Sequence, residues 1–194
     1  MTTTPEVTLI PEWAEQDLVL LSWPDAEMDW ASRLPEIEAC YRGIAEAILE
    51  WEDLLILAKD TEHIRQLLGS KTYKHKLFIQ EMDCNDTWCR DYAPLSLHLK
   101  EEDGTDRKLI VDFTFNGWGM KFAADRDSIV TRALYLARAF SHDVAYVNAL
   151  SLVFEGGENE SDGAGTLLTT ESVLVEPNRN AGVDDAVLRE HLME

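Results

Sequence analysis

Positive charge is scarce in this chain. Lys and Arg number 17 against 37 Asp and Glu, so the formal net charge is −20. A surface of that sign repels phosphate backbones and anionic lipid, which argues against nucleic acid or a membrane surface as a partner. It attracts cations, although solvated acids that serve solubility account for most of such an excess. Long apolar runs are also lacking. Residues 18–21 and 54–58 are among the longest and are far too short to cross a bilayer. The stretch Met1-Thr2-Thr3-Thr4-Pro5-Glu6 has no positive cluster and no apolar segment behind it, so it does not read as a secretory signal. Cysteine is sparse: Cys40, Cys84 and Cys89. An odd, small number is not a disulfide framework, and a reducing cytoplasm is the simpler expectation. There is no low-complexity run and no Gly/Ser linker.

What is present suits a globular protein. The 194 residues, 45% of them hydrophobic, suffice for one compact domain with a sizeable core. Residues 17–23 read as a buried strand ending at Pro24. Residues 33–51 carry Leu34, Ile37, Tyr41, Ile44, Ile48 and Trp51 at amphipathic-helix spacing. A strand is expected at 54–58, a helix at 61–68 stopped by Gly69, and a strand at 76–80. Strands at 94–99 and 108–113 flank Asp103-Gly104, a hairpin signal. A helix is expected over 125–140, short strands at 144–147 and 150–154, a turn at Asp162-Gly163, and a last helix over roughly 183–193. The order is that of a strand–helix–strand unit used more than once, an α/β (α+β) pattern.

Four polar, turn-rich segments stand where sites usually lie. They are residues 85–94 (Asn-Asp-Thr-Trp-Cys-Arg-Asp-Tyr-Ala-Pro), 115–121 (Phe-Asn-Gly-Trp-Gly-Met-Lys), 154–158 (Phe-Glu-Gly-Gly-Glu) and 176–180 (Glu-Pro-Asn-Arg-Asn). Each has an ordinary structural reading. Gly117 and Gly119 permit positive φ. Arg90 and Asp91 read as a surface ion pair worth little. Glu155 starts a turn, and Asn178-Arg179-Asn180 caps the last helix. Together they suit a cleft that holds a planar cation. Carboxylates accept the forked donors of a guanidinium in pairs, and an indole face offers a cation–π contact.

Asn85-Asp86-Thr87-Trp88-x-Arg90-Asp91-x-x-Pro94 resembles the Asn-Asp-x-Trp-x-Arg-Asp-x-Gly-Pro signature of the agmatine deiminase and bacterial (Porphyromonas-type) peptidyl-arginine deiminase family. Phe115-Asn116-x-Trp118-Gly119-x-Lys121 is similar to that family's Phe-Asn-x-Trp-Gly-Gly-Lys. Glu155-Gly156-Gly157, followed by Asp162-Gly163-x-Gly165-Thr166, resembles its Glu-Gly-Gly…Asp-Gly-x-Gly-Thr block, and Asn178-Arg179-Asn180 ends it as in the family. Pro11-Glu12-Trp13 and Trp23-Pro24 also match, so the likeness covers nearly the whole chain.

The resemblance implies a pentein fold, a ring of ββαβ units with fivefold pseudo-symmetry. Residues 1–194 would be the N-terminal part of that single domain. It also implies hydrolysis of a guanidinium with release of ammonia. A Cys thiolate attacks the central carbon, a His moves protons and acids hold the substrate. By motif position, Asp91 and Glu155 are the expected catalytic acids. Asp91 would bind the guanidinium, and Glu155 would pair with the catalytic His or the substrate. Trp88 and Trp118 would line the pocket, and Arg90 would brace it. No metal or organic cofactor is suggested.

The family's His-x-Asp segment and nucleophilic Cys have no counterpart here. None of His63, His75, His98, His142 and His191 is followed two residues later by Asp, and all five read as surface or helix residues. Cys89 stands at a position that is variable and usually apolar in the family. It reads as a packing thiol, and Cys84-x4-Cys89 is no zinc pair without partners. The expectation is therefore an N-terminal part without turnover of its own. Trp118-Gly119 leans toward agmatine, giving N-carbamoylputrescine, over peptidyl-arginine. An incomplete ring would leave apolar strand edges, so partner association or a homo-oligomer is expected. The alternative is a complete, non-catalytic guanidine-binding or interaction module. Tyr92-Ala93, Met120 and Asn159-Glu160-Ser161 depart from the family pattern and bear on substrate identity more than on the fold.

Overall fold

The computed structural model describes residues 6–180 and 182–191. Their contacts divide into two compact units, residues 15–89 in one and the described residues among 1–14 and 90–194 in the other. The first described strand, β1 (Glu6–Leu9), belongs to the second unit.

Residues 15–89 build a parallel three-stranded sheet in the order β2 (Val19–Ser22), β3 (Leu54–Ala58), β4 (Leu77–Glu81). Helices α1 (Leu34–Ile48) and α2 (Thr61–Leu68) make the crossovers that parallel pairing requires. All five β3 residues are buried, which is why 54–58 is an unbroken apolar run rather than an alternating one. Pro35 suits the first turn of α1, where its missing N–H costs nothing. Asp60 caps α2 by accepting from the His63 N–H at 3.0 Å. Ala45 and Leu49 pack with Ile64, Leu68 and the Leu54, Ile56 and Ala58 side chains of β3 to form a core. A fully buried Leu or Ile there is worth about 1.5–3 kcal/mol. A single helical turn, α3 (Cys89–Tyr92), follows in the chain.

The second unit has a sheet in the order β1-β5-β6-β7, with β5 (Leu95–Lys100), β6 (Asp106–Thr114) and β7 (Ala145–Val153). β5 and β6 form the expected antiparallel hairpin, and Gly104 takes φ 84° in its turn. β6 and β7 run parallel, with a register shift after Phe113. The two short strands expected at 144–147 and 150–154 are one element, β7, which continues through that irregularity. Among the described residues, the α-helical segments after β6 are α4 (Gly117–Met120), α5 (Val130–Leu136), α6 (Glu171–Val175) and α7 (Asp185–His191). Strands β8 (Asn159–Ser161) and β9 (Leu167–Thr169) form a small hairpin.

The long helix predicted at 125–140 is shorter in the structure. A 3-10 turn at Asp127–Ile129 precedes α5, and the helix stops at Leu136. Arg138 takes φ 58°, the Ala139 N–H reaches the Leu134 carbonyl and the Arg138 N–H reaches that of Tyr135. This is a Schellman C-cap with arginine in the position glycine usually takes. A partly buried cluster around Asp112 ties α5 to the sheet. Arg132 donates to both Asp112 oxygens at 3.3 and 3.1 Å, and the Tyr146 hydroxyl donates to the same carboxylate at 2.6 Å. Burial and the neighbouring Asp112 push the Tyr146 phenol up to about 12. At the end of the chain, residues 192 and 193 of the predicted last helix lie outside the described residues.

Candidate active site

Three of the four motif segments meet at Asp91, within the second unit. Asp91 comes from α3, Trp118 from α4 and Gly157 from the turn after β7. The Trp118 indole N–H donates to Asp91 Oδ2 at 3.2 Å, and the Gly157 N–H donates to Asp91 Oδ1 at 3.1 Å. Each carboxylate oxygen thus has one donor fixing its direction, and each retains a lone pair for another.

The turn that carries Trp118 is unusual. Gly117, Trp118, Gly119 and Met120 take φ of 67°, 58°, 81° and 64° in succession. The N–H groups of Met120 and Lys121 reach back to the carbonyls of Asn116 and Gly117. The result is one turn of left-handed helix, a conformation that costs non-glycine residues roughly 1–2 kcal/mol each. Asn116 supports it from both ends of its amide. Its Oδ1 accepts from the Gly119 N–H at 3.0 Å, and its Nδ2 donates to the Asn178 carbonyl at 2.7 Å. Phe115 and Phe122 meet the Trp118 ring edge-to-face, with centroids 5.1 and 5.6 Å away.

The glycine pair after Glu155 is required by close approach. A Cβ on Gly157 would stand 2.1 Å from Asp91 Oδ1, and one on Gly156 would stand 2.5 Å from the Arg90 carbonyl oxygen. Glu155 itself is fully buried. Arg179 holds it with two parallel bonds, Nε to Oε1 at 2.9 Å and Nη2 to Oε2 at 2.8 Å. Arg179 Nη1 donates to the Ser172 carbonyl at 2.9 Å, and Nη2 stands 3.6 Å from Glu158 Oε1. Removing either partner from such a buried pair strands a charge and costs about 3–5 kcal/mol.

Electrostatics follow from this packing. Burial pushes the Asp91 carboxyl above its ordinary value; the Trp118 and Gly157 bonds oppose the rise, and the Glu158 charge adds to it. Burial pushes Glu155 up as well, against the pull of Arg179, with Glu158 and Asp91 adding to the rise. The Asp91 charge thus bears on Glu155, and the Glu158 charge bears on both acids.

The matched family model spans residues 8–194 and is described as Porphyromonas-type peptidyl-arginine deiminase. The chain belongs to this family. A P. gingivalis crystal structure, provisionally assigned as an arginine deiminase, is 44% identical with a TM-score of 0.85, covering 96% of this chain and 53% of that one. A C. jejuni agmatine deiminase with substrate bound is 28% identical with a TM-score of 0.83, covering 97% and 53%. The agmatine deiminase of Stutzerimonas stutzeri is 31% identical over 195 residues, 93% of this chain and 49% of the relative. The chain spans about half the length of the relatives it matches.

The remaining motif residues sit differently. Trp88 is 51% exposed and belongs to the unit of residues 15–89. Arg90 is half-exposed and pairs with Glu12. Cys89 Sγ donates to the Leu20 carbonyl at 3.4 Å. The capping role read for Asn178-Arg179-Asn180 is corrected. Asp184 Oδ1 accepts from the Ala186 N–H at the start of α7. Asn180 instead brackets Val153, accepting from its N–H and donating to its carbonyl, both at 2.9 Å. Arg179 is the residue the sequence left out of the site. Its signal was present, a lone arginine between two asparagines, but its partner lies 24 positions away. Among the described residues, no group of His, Cys, Asp and Glu could hold a metal ion. Nor is any described helix long and apolar enough to cross a membrane.

Proposed function

We propose that the chain forms the guanidinium-holding part of a guanidine deiminase, a C–N hydrolase. The full enzyme converts agmatine to N-carbamoylputrescine and ammonia, or peptidyl-arginine to citrulline and ammonia, with agmatine the favoured substrate. A single observation carries this reading: Asp91 is half-buried with both oxygens oriented, one by the Trp118 indole N–H and one by the Gly157 N–H. A preoriented, partly desolvated carboxylate beside an indole is what a flat, permanently charged guanidinium requires. The substrate-bound C. jejuni relative supports the agmatine reading.

In this proposal a thiolate and an imidazole come from residues beyond these 194, within the same ring of ββαβ units. The thiolate forms a C–S bond at the central guanidinium carbon. The C–N bond then breaks, and the imidazolium gives its proton to the departing ammonia. Water cleaves the amidino-thioether, leaving the ureido product and restoring the thiolate. Asp91 holds the cation in line for attack. Glu155 is the second carboxylate of the site, and Arg90 and Trp118 line or brace it.

The test is calorimetric titration of the chain with agmatine and with putrescine, which lacks the guanidinium. Agmatine should bind at least roughly ten-fold more tightly, a difference of about 1.4 kcal/mol. Equal binding would mean that the net charge alone attracts cations.

A further inference from the structure

Arg179 has no role in the chemistry just described, yet it is the most thoroughly engaged cation near the site. Its side chain is 4% exposed. Its fork occupies Glu155, its third donor takes the Ser172 carbonyl, and Glu158 stands beside it. It has no donor directed at Asp91. A connected path nevertheless leads there. Glu155 is followed directly by Gly156 and Gly157, and the Gly157 N–H sets Asp91 Oδ1. On the other side, the neighbouring Asn178 carbonyl accepts from Asn116, which also caps the left-handed turn that aims Trp118 at Asp91 Oδ2. Both donors on Asp91 thus trace back to the segment that contains Arg179.

We propose that Arg179 is a positioning residue for guanidinium capture. Its fork fixes Glu155, and through the Glu155-Gly156-Gly157 turn it fixes the N–H that orients Asp91, without touching the ligand. The inference rests on the reading of Asp91 as the guanidinium acceptor. The charged groups bearing on Glu155 are Arg179, Glu158 and Asp91, and those bearing on Asp91 are Glu158 and Arg90. Arg179 is the one cation within the first set. A lysine in its place keeps the charge but has no planar fork.

The test uses the whole chain with wild-type, Arg179→Lys and Arg179→Met proteins and two readouts. One is the pH midpoint of the Trp118 indole N–H resonance, which follows protonation of Asp91. The other is agmatine affinity by calorimetry. With Met, the midpoint should rise and affinity should fall at least roughly ten-fold. With Lys, both should recover only in part, because the fork and not the charge sets the turn. An unchanged midpoint in the folded Met variant overturns the proposal, and so does full recovery with Lys, which would leave charge alone as the cause. Should Met prevent folding, the Lys midpoint decides. Should wild type fail to bind agmatine, the functional reading falls, while the indole midpoint still decides the role of Arg179.

Discussion

The Trp118 indole N–H donates to Asp91 Oδ2 at 3.2 Å from a turn whose four residues all have positive φ. A large aromatic side chain in left-handed backbone is an expensive arrangement, and such strain persists where the surroundings over-determine it. Here Asn116 and the edges of Phe115 and Phe122 supply that support. Trp118→Phe keeps the ring but removes the donor. A hydrogen bond to a charged group is worth about 1.5–3 kcal/mol, so agmatine affinity should fall roughly ten-fold or more. The acid limb of the affinity profile should also move to higher pH, because one of the contacts opposing the rise at Asp91 is gone.

Asp91→Asn separates stability from binding. Burial raises the Asp91 carboxyl in the folded chain above its unfolded value. The folded state therefore holds this proton more tightly. Its contribution to stability is most favourable below the unfolded pKa and falls as pH rises through the folded pKa. The Asn variant lacks this titration. Its melting temperature relative to wild type should be more favourable at neutral pH than at acid pH, while agmatine binding is lost at both. Thermal scans at two pH values check the sign.

Met120 is 74% exposed and has φ 64°, so it contributes little packing and carries left-handed strain. Met120→Gly should raise stability by roughly 0.5–1 kcal/mol, the strain relieved being partly offset by the freedom glycine has in the unfolded chain. Met120→Val should lower it, since a β-branched residue tolerates this backbone least. Denaturant midpoints of the three proteins should therefore fall in the order Gly, Met, Val.

Gly157→Ala places a methyl 2.1 Å from Asp91 Oδ1. One of the two must move, and the Gly157 N–H contact goes with it. Agmatine affinity should drop steeply while the circular dichroism spectrum of the chain stays close to wild type. A full-affinity alanine variant would mean that the turn does not set the acid.

The elements that rest on local periodicity were legible in the sequence. The helix at Thr61–Leu68 and the strand at Leu54–Ala58 match their predicted bounds. The features that rest on distant partners were not. β1 pairs with β5, some ninety positions away, and its four residues carry no signal of their own. Gly117 and Gly119 suggested positive φ, but nothing indicated that Trp118 and Met120 would follow them. The end of α5 was hidden because an arginine, not a glycine, takes the left-handed cap. For the candidate site, the motifs pointed to Asp91, Glu155, Trp88, Arg90 and Trp118. They could not show that both Glu155 oxygens are held by Arg179, since that pairing exists only once the turn after β7 and the loop after α6 are packed.

The most direct measurement is the side-chain carboxyl carbon resonance of Asp91, followed through pH titrations with and without saturating agmatine. If Asp91 holds the guanidinium, its midpoint begins above the ordinary carboxylate value and falls when agmatine is present, because a paired cation favours the ionised form. A midpoint that does not change with agmatine would contradict the assignment of Asp91 as the guanidinium acceptor.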